Sequence, residues 1–155
     1  MSTKEEVKAE LEMRQFSYFL NQIPCEHEFQ EIESRCKPEP DILFRKSIAF
    51  ELTEICPPEV AHLNATLPKV GGAKLVYPAN TAAERISEKL AIPYVSSFPL
   101  ELLCFRTSRT LWHDEVVLSE LRTALASHAK IQFQRIWYCG EKIEIIYNPN
   151  NLPLL

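Results

Sequence analysis

The side chains of this sequence best suited to chemistry are two carboxylates ten residues apart, Asp41 and Glu51. Asp41 precedes the apolar run 42–44, and Glu51 lies inside the segment 47–55. Apolar and polar residues alternate through that second segment, which predicts a β-strand, and Arg45-Lys46 is the predicted turn of a hairpin. Such a hairpin places the two carboxylates nearly opposite each other, with roughly 5 Å between their Cβ atoms.

Two carboxylates at this distance repel each other unless a cation neutralises them. A hard divalent ion such as Mg²⁺ or Mn²⁺ is suited to the task, because it takes oxygen ligands and retains several waters. An ion of this kind can activate a water molecule and stabilise the charge on an attacked phosphate. In the alternative interpretation the prolines before Asp41 only form a turn, and Glu51 is an exposed strand residue.

The segments Pro40-Asp41 and Glu51-Leu52-Thr53 resemble the motif of the PD-(D/E)XK nuclease superfamily, whose members have the restriction-endonuclease-like fold. The motif covers about residues 37–56, and the rest of the likeness is an αβββαβ order of elements. The resemblance implies that Asp41 and Glu51 bind Mg²⁺ or Mn²⁺ and that the backbone carbonyl of Leu52 is a third ligand. It also implies hydrolysis of phosphodiester bonds in nucleic acid, by an endonuclease or an exonuclease.

The motif lysine of that superfamily is replaced by Thr53, which shares a strand face with Glu51 but carries no charge. Arg85 and Lys89 are four residues apart on one face of a predicted helix, and Lys89 is the predicted substitute for the missing lysine. The catalytic residues implied by the resemblance are therefore Asp41, Glu51, Thr53 and Lys89. Members of the superfamily also draw an acidic residue from their first helix, which makes Glu12 a further candidate.

The absent lysine leaves two functions open. The first is a divalent-metal-dependent nuclease-like enzyme. The second is a nuclease-fold protein that has lost catalysis and serves as a binding or scaffold module for nucleic acid or another protein.

Other residue types that bind metals or nucleic acids are weaker candidates. Cys25, His27 and Cys36 have poor spacing for zinc, and we expect them to be structural. Lys69 and Lys74 flank the pair Gly71-Gly72 in a proline-rich segment, where they could close over a phosphate backbone. Three histidines have no evident serine or cysteine partner for nucleophilic catalysis: His62, His113 and His128.

Four aromatic residues that could stack on bases are expected mainly in the core: Trp112, Trp137, Tyr138 and Tyr147. Trp137 and Tyr138 are neighbours in a predicted strand, so we expect one to point inward and the other outward.

The elements that position these residues follow from capping and periodicity. A Thr3-x-x-Glu6 capping box predicts a helix over 3–22, and Glu26–Ser34 is a further candidate strand. After the hairpin the patterns predict a long loop, a helix, a strand, a second helix and a closing hairpin around residues 139–141. Their predicted bounds are 56–79, 81–91, 100–106, 113–129, and 131–138 with 142–147. The predicted fold class is α+β, with one mixed central sheet flanked by helices.

Composition supports a single globular domain over residues 1–155, since 46% of the residues are hydrophobic and 25% are charged. The formal net charge of −4 argues against a generally basic surface. Residues 1–60 carry 13 acidic and 7 basic side chains, so acidity is concentrated early in the chain. No apolar run approaches the roughly 20 residues of a membrane helix, and the polar start of the chain does not resemble a signal peptide, which predicts a cytoplasmic protein.

Overall fold

The computed structural model describes residues 3–55, 80–106 and 113–155. These residues form three helices and a six-stranded sheet. The helices are α1 (Lys4–Gln22), α2 (Asn80–Ala91) and α3 (Asp114–Ala126), and a short 3-10 helix spans Phe29–Glu31. The strands are β1 (Ile32–Ser34), β2 (Ile42–Phe44), β3 (Ile48–Ile55), β4 (Leu100–Arg106), β5 (Arg135–Cys139) and β6 (Ile143–Tyr147).

The strands lie in the sheet in the order in which they occur in the chain. β1, β2 and β3 pair antiparallel, β3, β4 and β5 pair parallel, and β6 returns antiparallel to β5. The parallel pairs require crossovers, and α2 and α3 lie in the two connecting segments. The α+β class and the mixed sheet predicted from the sequence are confirmed.

Two apolar clusters cover opposite faces of the sheet. Helix α1 contributes Phe16, Phe19 and Leu20 to one cluster, and helices α2 and α3 pack on the other face. Because successive strand residues point to opposite faces, Phe50 and Leu52 belong to the α1 side and Ala49 and Ile55 to the α2 side. The alternation therefore assigns Glu51 and Thr53 to the face that α2 covers.

The start of α1 is fixed as the sequence predicts. The Thr3 hydroxyl accepts a hydrogen bond from the Glu6 N–H, and the Glu6 carboxylate accepts one from the Thr3 N–H at 2.8 Å. These bonds satisfy two of the free amides at the helix start. Three turns further on, the helix buries Phe16, which packs edge-on against Phe50 of β3 with ring centroids 4.8 Å apart.

The hairpin that carries the two carboxylates has the predicted register. Ile42 pairs with Phe50 and Phe44 with Ile48, so Asp41 lies opposite Glu51 when the register is continued by one residue. The turn contains Arg45 and Lys46, both with positive φ, at 52° and 49°. The Arg45 guanidinium donates to the Glu31 carboxylate and to the Glu26 carbonyl, which holds this turn against the segment before β1.

Several expectations need correction. The segment Glu26–Ser34 is a strand only from Ile32, because a 3-10 turn precedes it. The third helix ends at Ala126 rather than near 129. Trp137 and Tyr138 do point to opposite faces, but both are buried, since helices cover the sheet on both sides.

The predicted restriction-endonuclease-like core is not confirmed, although the described elements follow the predicted order. Among the described residues no helix is both long enough and apolar enough to cross a membrane. The predicted loop 56–79, with Lys69, Lys74 and His62, lies outside the described residues, and so does Trp112.

Candidate functional site

The candidate site lies where β2 stops covering the edge of β3. β2 pairs with β3 only as far as Phe50, and Asp41, just before β2, fills the next position. The Leu52 N–H donates to Asp41 Oδ2 at 2.9 Å, and the Asp41 N–H donates to Glu51 Oε1 at 3.3 Å. The backbone and the two carboxylates therefore hold each other in place, and the predicted proximity of Asp41 and Glu51 is observed.

Lys89 on α2 contacts Glu51 of this carboxylate pair. Its Nζ atom donates to Glu51 Oε2 at 3.1 Å, and the two side chains are 22% and 10% exposed. The contact follows from the alternation in β3, which turns Glu51 toward the face on which α2 packs. The role predicted for Lys89, as the substitute for the missing motif lysine, stays a prediction, and the structure places its ammonium against Glu51.

Asp41 also lies beside a third carboxylate, that of Glu12 on α1. Burial first, and then the charge of Glu12 and a hydrogen bond with it, raise the pKa of Asp41 to about 6, against the opposing hydrogen bonds with the Leu52 N–H and with Glu51. The midpoint of this carboxyl therefore lies within about one pH unit of neutrality, unlike that of an exposed aspartate.

Glu51 experiences similar forces. Burial and the charge of Asp41 raise its pKa, and the Lys89 ammonium opposes the rise. Tyr94, five residues after Lys89, lies near both carboxylates, and burial followed by the charge of Glu51 raises the pKa of its phenol. The Tyr94 hydroxyl is buried and has no hydrogen-bond partner of normal geometry among the described residues.

A cavity of about 240 Å³ opens next to these groups, between α1 and α2. Its floor is the uncovered stretch of β3, which contributes Leu52, Thr53 and Glu54. Its walls are Lys8, Leu11, Glu12 and Gln15 from α1 and Arg85 and Lys89 from α2. The Thr53 side chain is 4% exposed, and its hydroxyl has no hydrogen-bond partner in the part of the chain that the structure describes.

The other candidates lie elsewhere. Cys25 is buried and Cys36 exposed, and the imidazole of His27 contacts the Cys25 carbonyl rather than a thiol. His128 contacts the Ala124 carbonyl at the end of α3, and His113 is the residue before α3. Across residues 3–55, 80–106 and 113–155, no three histidine, cysteine, aspartate or glutamate side chains form a group that could hold a metal by themselves.

Sequence reasoning missed one polar group of the site, the Tyr94 phenol, and it also missed the burial of another, the Thr53 hydroxyl. Tyr94 follows α2 in an irregular segment, and nothing in its local sequence distinguishes it from a core tyrosine. The resemblance implies a role for Thr53 at the position of the absent lysine, whereas in the structure its hydroxyl is buried and has no hydrogen-bond partner among the described residues. Both signals depend on the packing of α2 against β3, which a single sequence does not display.

No protein-family model matches the sequence, and no curated protein matches it. One solved structure is similar: a protein of unknown function from Pseudomonas aeruginosa strain PAO1, described as a member of the monooxygenase superfamily. The two chains are 13% identical, the match covers 99% of this chain and 89% of that one, and the TM-score is 0.47. A likeness of this size transfers neither the fold nor an activity to this chain.

These comparisons contradict the nuclease assignment. The similar structure is described as a monooxygenase-superfamily protein and not as a nuclease, and no nuclease family model matches. The membership in the PD-(D/E)XK superfamily and the hydrolysis of nucleic acid predicted from the motif are therefore wrong, and so is the alternative of an inactive nuclease-fold scaffold. The short motif describes a hairpin with facing carboxylates, which unrelated folds can also contain.

Proposed function

We propose that Asp41 and Glu51 bind one divalent cation, Mg²⁺ or Mn²⁺, and that this cation-dependent site is the functional centre of the protein. One observation carries the proposal. The carboxylate of Asp41 lies beside those of Glu12 and Glu51, whereas the contacts of the described residues set a single ammonium, that of Lys89, against this group, at Glu51. A buried excess of negative charge favours a cation.

The residues present suit a hard cation. Asp41 and Glu51 offer carboxylate oxygens, which Mg²⁺ and Mn²⁺ prefer. In a strand the N–H and C=O of one residue point to the same side, so the Leu52 carbonyl points to the edge at which its N–H meets Asp41. Mg²⁺ commonly binds to one or two carboxylates and keeps several waters, so two carboxylates and one carbonyl are enough protein ligands for it. The described residues contain no larger group of metal-binding side chains.

Each neighbouring residue has a definable role in this proposal. The Leu52 N–H orients Asp41, and the Asp41 N–H orients Glu51. Lys89 compensates part of the negative charge before the cation arrives, and the Glu12 carboxylate adds negative charge beside Asp41. A bound divalent cation would supply a Lewis acid that polarises an oxygen of a ligand or of water.

Calorimetric titration with Mn²⁺ tests the proposal. With few charged ligands we expect a dissociation constant on the order of 0.1–1 mM for the wild-type protein. Asp41→Asn keeps the size of the side chain and an acceptor for the Leu52 N–H, and it should weaken binding at least about tenfold through the lost charge.

Glu39→Gln is the matched control, since it removes an exposed carboxylate two residues from Asp41 and should change affinity less than about twofold. Equal Mn²⁺ affinity in the wild type and Asp41→Asn would remove the site assignment. The cytoplasmic location and a nucleic-acid or protein partner remain predictions from the sequence.

A further inference from the structure

The Tyr94 hydroxyl is a buried donor without a hydrogen-bond partner of normal geometry among the described residues. Its ring packs against Phe133, with ring centroids 5.6 Å apart, in the apolar cluster on the α2 face of the sheet. A phenylalanine would make the same ring contacts without an unpaired polar atom, so packing alone does not account for a tyrosine here. Because water does not reach this hydroxyl, its acceptor has to be a group of the protein itself.

The chain between α2 and β4 brings this hydroxyl to Glu51. The segment 92–99 ends beside β3, where the Pro99 carbonyl accepts a hydrogen bond from the Ala49 N–H at 2.8 Å. Ala49 and Glu51 are two residues apart in β3, so they share the face on which Tyr94 packs. Burial, and after it the charge of Glu51 and a hydrogen-bond interaction with its carboxyl group, raise the pKa of the Tyr94 phenol. The Glu51 carboxylate is therefore an acceptor within reach of the hydroxyl.

The Glu51 carboxylate has room for another donor. Its Oε1 atom accepts from the Asp41 N–H at 3.3 Å, and its Oε2 atom accepts from Lys89 Nζ at 3.1 Å. Both distances are longer than those of the commonest hydrogen bonds of this kind, so these two donors hold the carboxylate loosely. Each carboxylate oxygen has two lone-pair sites, which leaves one on each atom for a further donor or a cation.

We propose that Tyr94 is a positioning residue of the cation site, whose hydroxyl donates to the Glu51 carboxylate when that carboxylate binds the cation. The inference rests on the proposed function, because it takes Glu51 as a ligand. Mg²⁺ demands a nearly ideal octahedral arrangement of its ligands, so a carboxylate held in one orientation favours its binding. A small rotation of Glu51 toward the cation completes a hydrogen bond that the cation-free structure leaves open.

Calorimetric titration with Mn²⁺ measures the contribution of this hydroxyl. Tyr94→Phe removes the hydroxyl and keeps the ring, and it should weaken Mn²⁺ binding about two- to tenfold, as expected for the loss of one hydrogen bond. Tyr18→Phe is the matched control, since Tyr18 is 52% exposed on α1 and lines a different cavity, with Ile143 and Leu154. Its Mn²⁺ affinity should equal that of the wild type.

Absorption spectroscopy distinguishes a positioning role from a structural one. A phenol that begins to donate to a carboxylate absorbs at longer wavelength. Mg²⁺ should therefore produce a tyrosine difference spectrum in the wild type and in Tyr18→Phe, but not in Tyr94→Phe. In EDTA, Tyr94→Phe should unfold at the same urea concentration as the wild type or at a higher one, because it removes an unpaired buried group.

The outcomes separate this inference from the proposed function. Mn²⁺ binding that Asp41→Asn weakens and Tyr94→Phe does not, or a difference spectrum that persists in Tyr94→Phe, overturns the positioning role and leaves the cation site standing. A lower urea midpoint for Tyr94→Phe in EDTA also overturns it, because the hydroxyl would then be paired without the cation. Wild-type protein that binds no Mn²⁺ overturns the proposed function and this inference together.

Discussion

Lys89 Nζ lies 3.1 Å from Glu51 Oε2, and this contact joins α2 to β3 across a largely buried interface. Both side chains are mostly withdrawn from water, so the attraction between them is screened less than in a surface pair. The ammonium also faces Glu51 from the side opposite to the α1 helix. The contact therefore links the position of one helix to the charge state of the candidate site.

Replacing Lys89 by methionine should destabilise the protein more at pH 7.5 than at pH 5. The change leaves the Glu51 carboxylate buried without its counter-charge, which costs about 2–4 kcal/mol at the higher pH. At pH 5 the raised pKa of Glu51 allows partial protonation, which removes part of that cost. Urea denaturation of cation-free protein at the two pH values measures the difference.

Lys142→Met is the control for this change, since Lys142 is exposed in the turn between β5 and β6. It should alter the free energy of unfolding by less than about 0.5 kcal/mol at either pH. An equal loss of stability for Lys89→Met at both pH values would show that Lys89 acts through packing alone.

The raised pKa of Asp41 predicts how stability depends on pH without a cation. The folded-state pKa of about 6 lies above the ordinary value of 3.8, so the folded protein binds this proton more tightly than the unfolded chain. The resulting stabilisation is complete below about pH 4 and is lost as the pH rises through about 6. The difference corresponds to at most about 3 kcal/mol.

Asp41→Asn should remove this part of the pH dependence, because the amide does not titrate. The stability of the variant relative to wild type should therefore improve between pH 4 and pH 7 in EDTA. A constant difference across that range would contradict the assignment of the proton to Asp41.

The hairpin and its facing carboxylates could be predicted because the information is local. The alternation in β3 fixes which residues share a face, and the turn at Arg45-Lys46 fixes the register. The family resemblance predicts Lys89 as a substitute for a missing lysine and does not predict its contact with Glu51. That contact depends on how α2 packs on the face of β3 that carries Glu51.

The remaining features of the site depend on tertiary packing. The Thr53 hydroxyl, the Tyr94 phenol and the proximity of Glu12 to Asp41 all arise where α1 and α2 approach the sheet from opposite faces. The hydrophobic periodicity of a helix or a strand predicts which of its faces is buried, but it does not predict how close that element comes to another. The burial of both Trp137 and Tyr138 has the same origin, because it requires that both faces of β5 be covered.

A buried ion pair outside the site, between Arg135 and Glu101, tests how much a buried charge contributes to the stability of this fold. Arg135 donates through Nε and Nη2 to the two oxygens of Glu101, at 2.7 and 3.0 Å, and Trp137 Nε1 donates to the same carboxylate at 2.8 Å. Glu101→Gln removes the charge and should cost about 3–5 kcal/mol, because it leaves the guanidinium buried without a counter-ion. Urea denaturation followed by circular dichroism measures the loss.

Glu141→Gln should cost less than about 1 kcal/mol, since Glu141 is 75% exposed and meets Arg106 at 3.4 Å. Mn²⁺ binding of folded Glu101→Gln should match that of the wild type. A cost below about 1 kcal/mol for Glu101→Gln would mean that the pair is solvated in solution.

Gly140, in the turn between β5 and β6, tests how closely α3 is joined to this hairpin. The start of α3 carries Asp114, which accepts hydrogen bonds from the Tyr138 hydroxyl at 2.8 Å and from the Lys142 N–H at 2.9 Å. A Cβ atom on Gly140 would collide with Asp114 Oδ1 and with the Tyr138 ring and hydroxyl. Gly140→Ala should therefore displace Asp114 and lower the free energy of unfolding by about 1–3 kcal/mol.

A double-mutant cycle with Tyr138→Phe identifies the cause of that loss. Removing the hydroxyl relieves one of the collisions and already breaks one bond to Asp114, so Gly140→Ala should cost at least about 0.5 kcal/mol less in the Tyr138→Phe background. Additive effects would show that the two positions do not compete for the same space. Because the atoms nearest to a Cβ on Gly140 belong to Asp114 and Tyr138 and not to the site residues named above, Mn²⁺ affinity should be the same for Gly140→Ala and wild type.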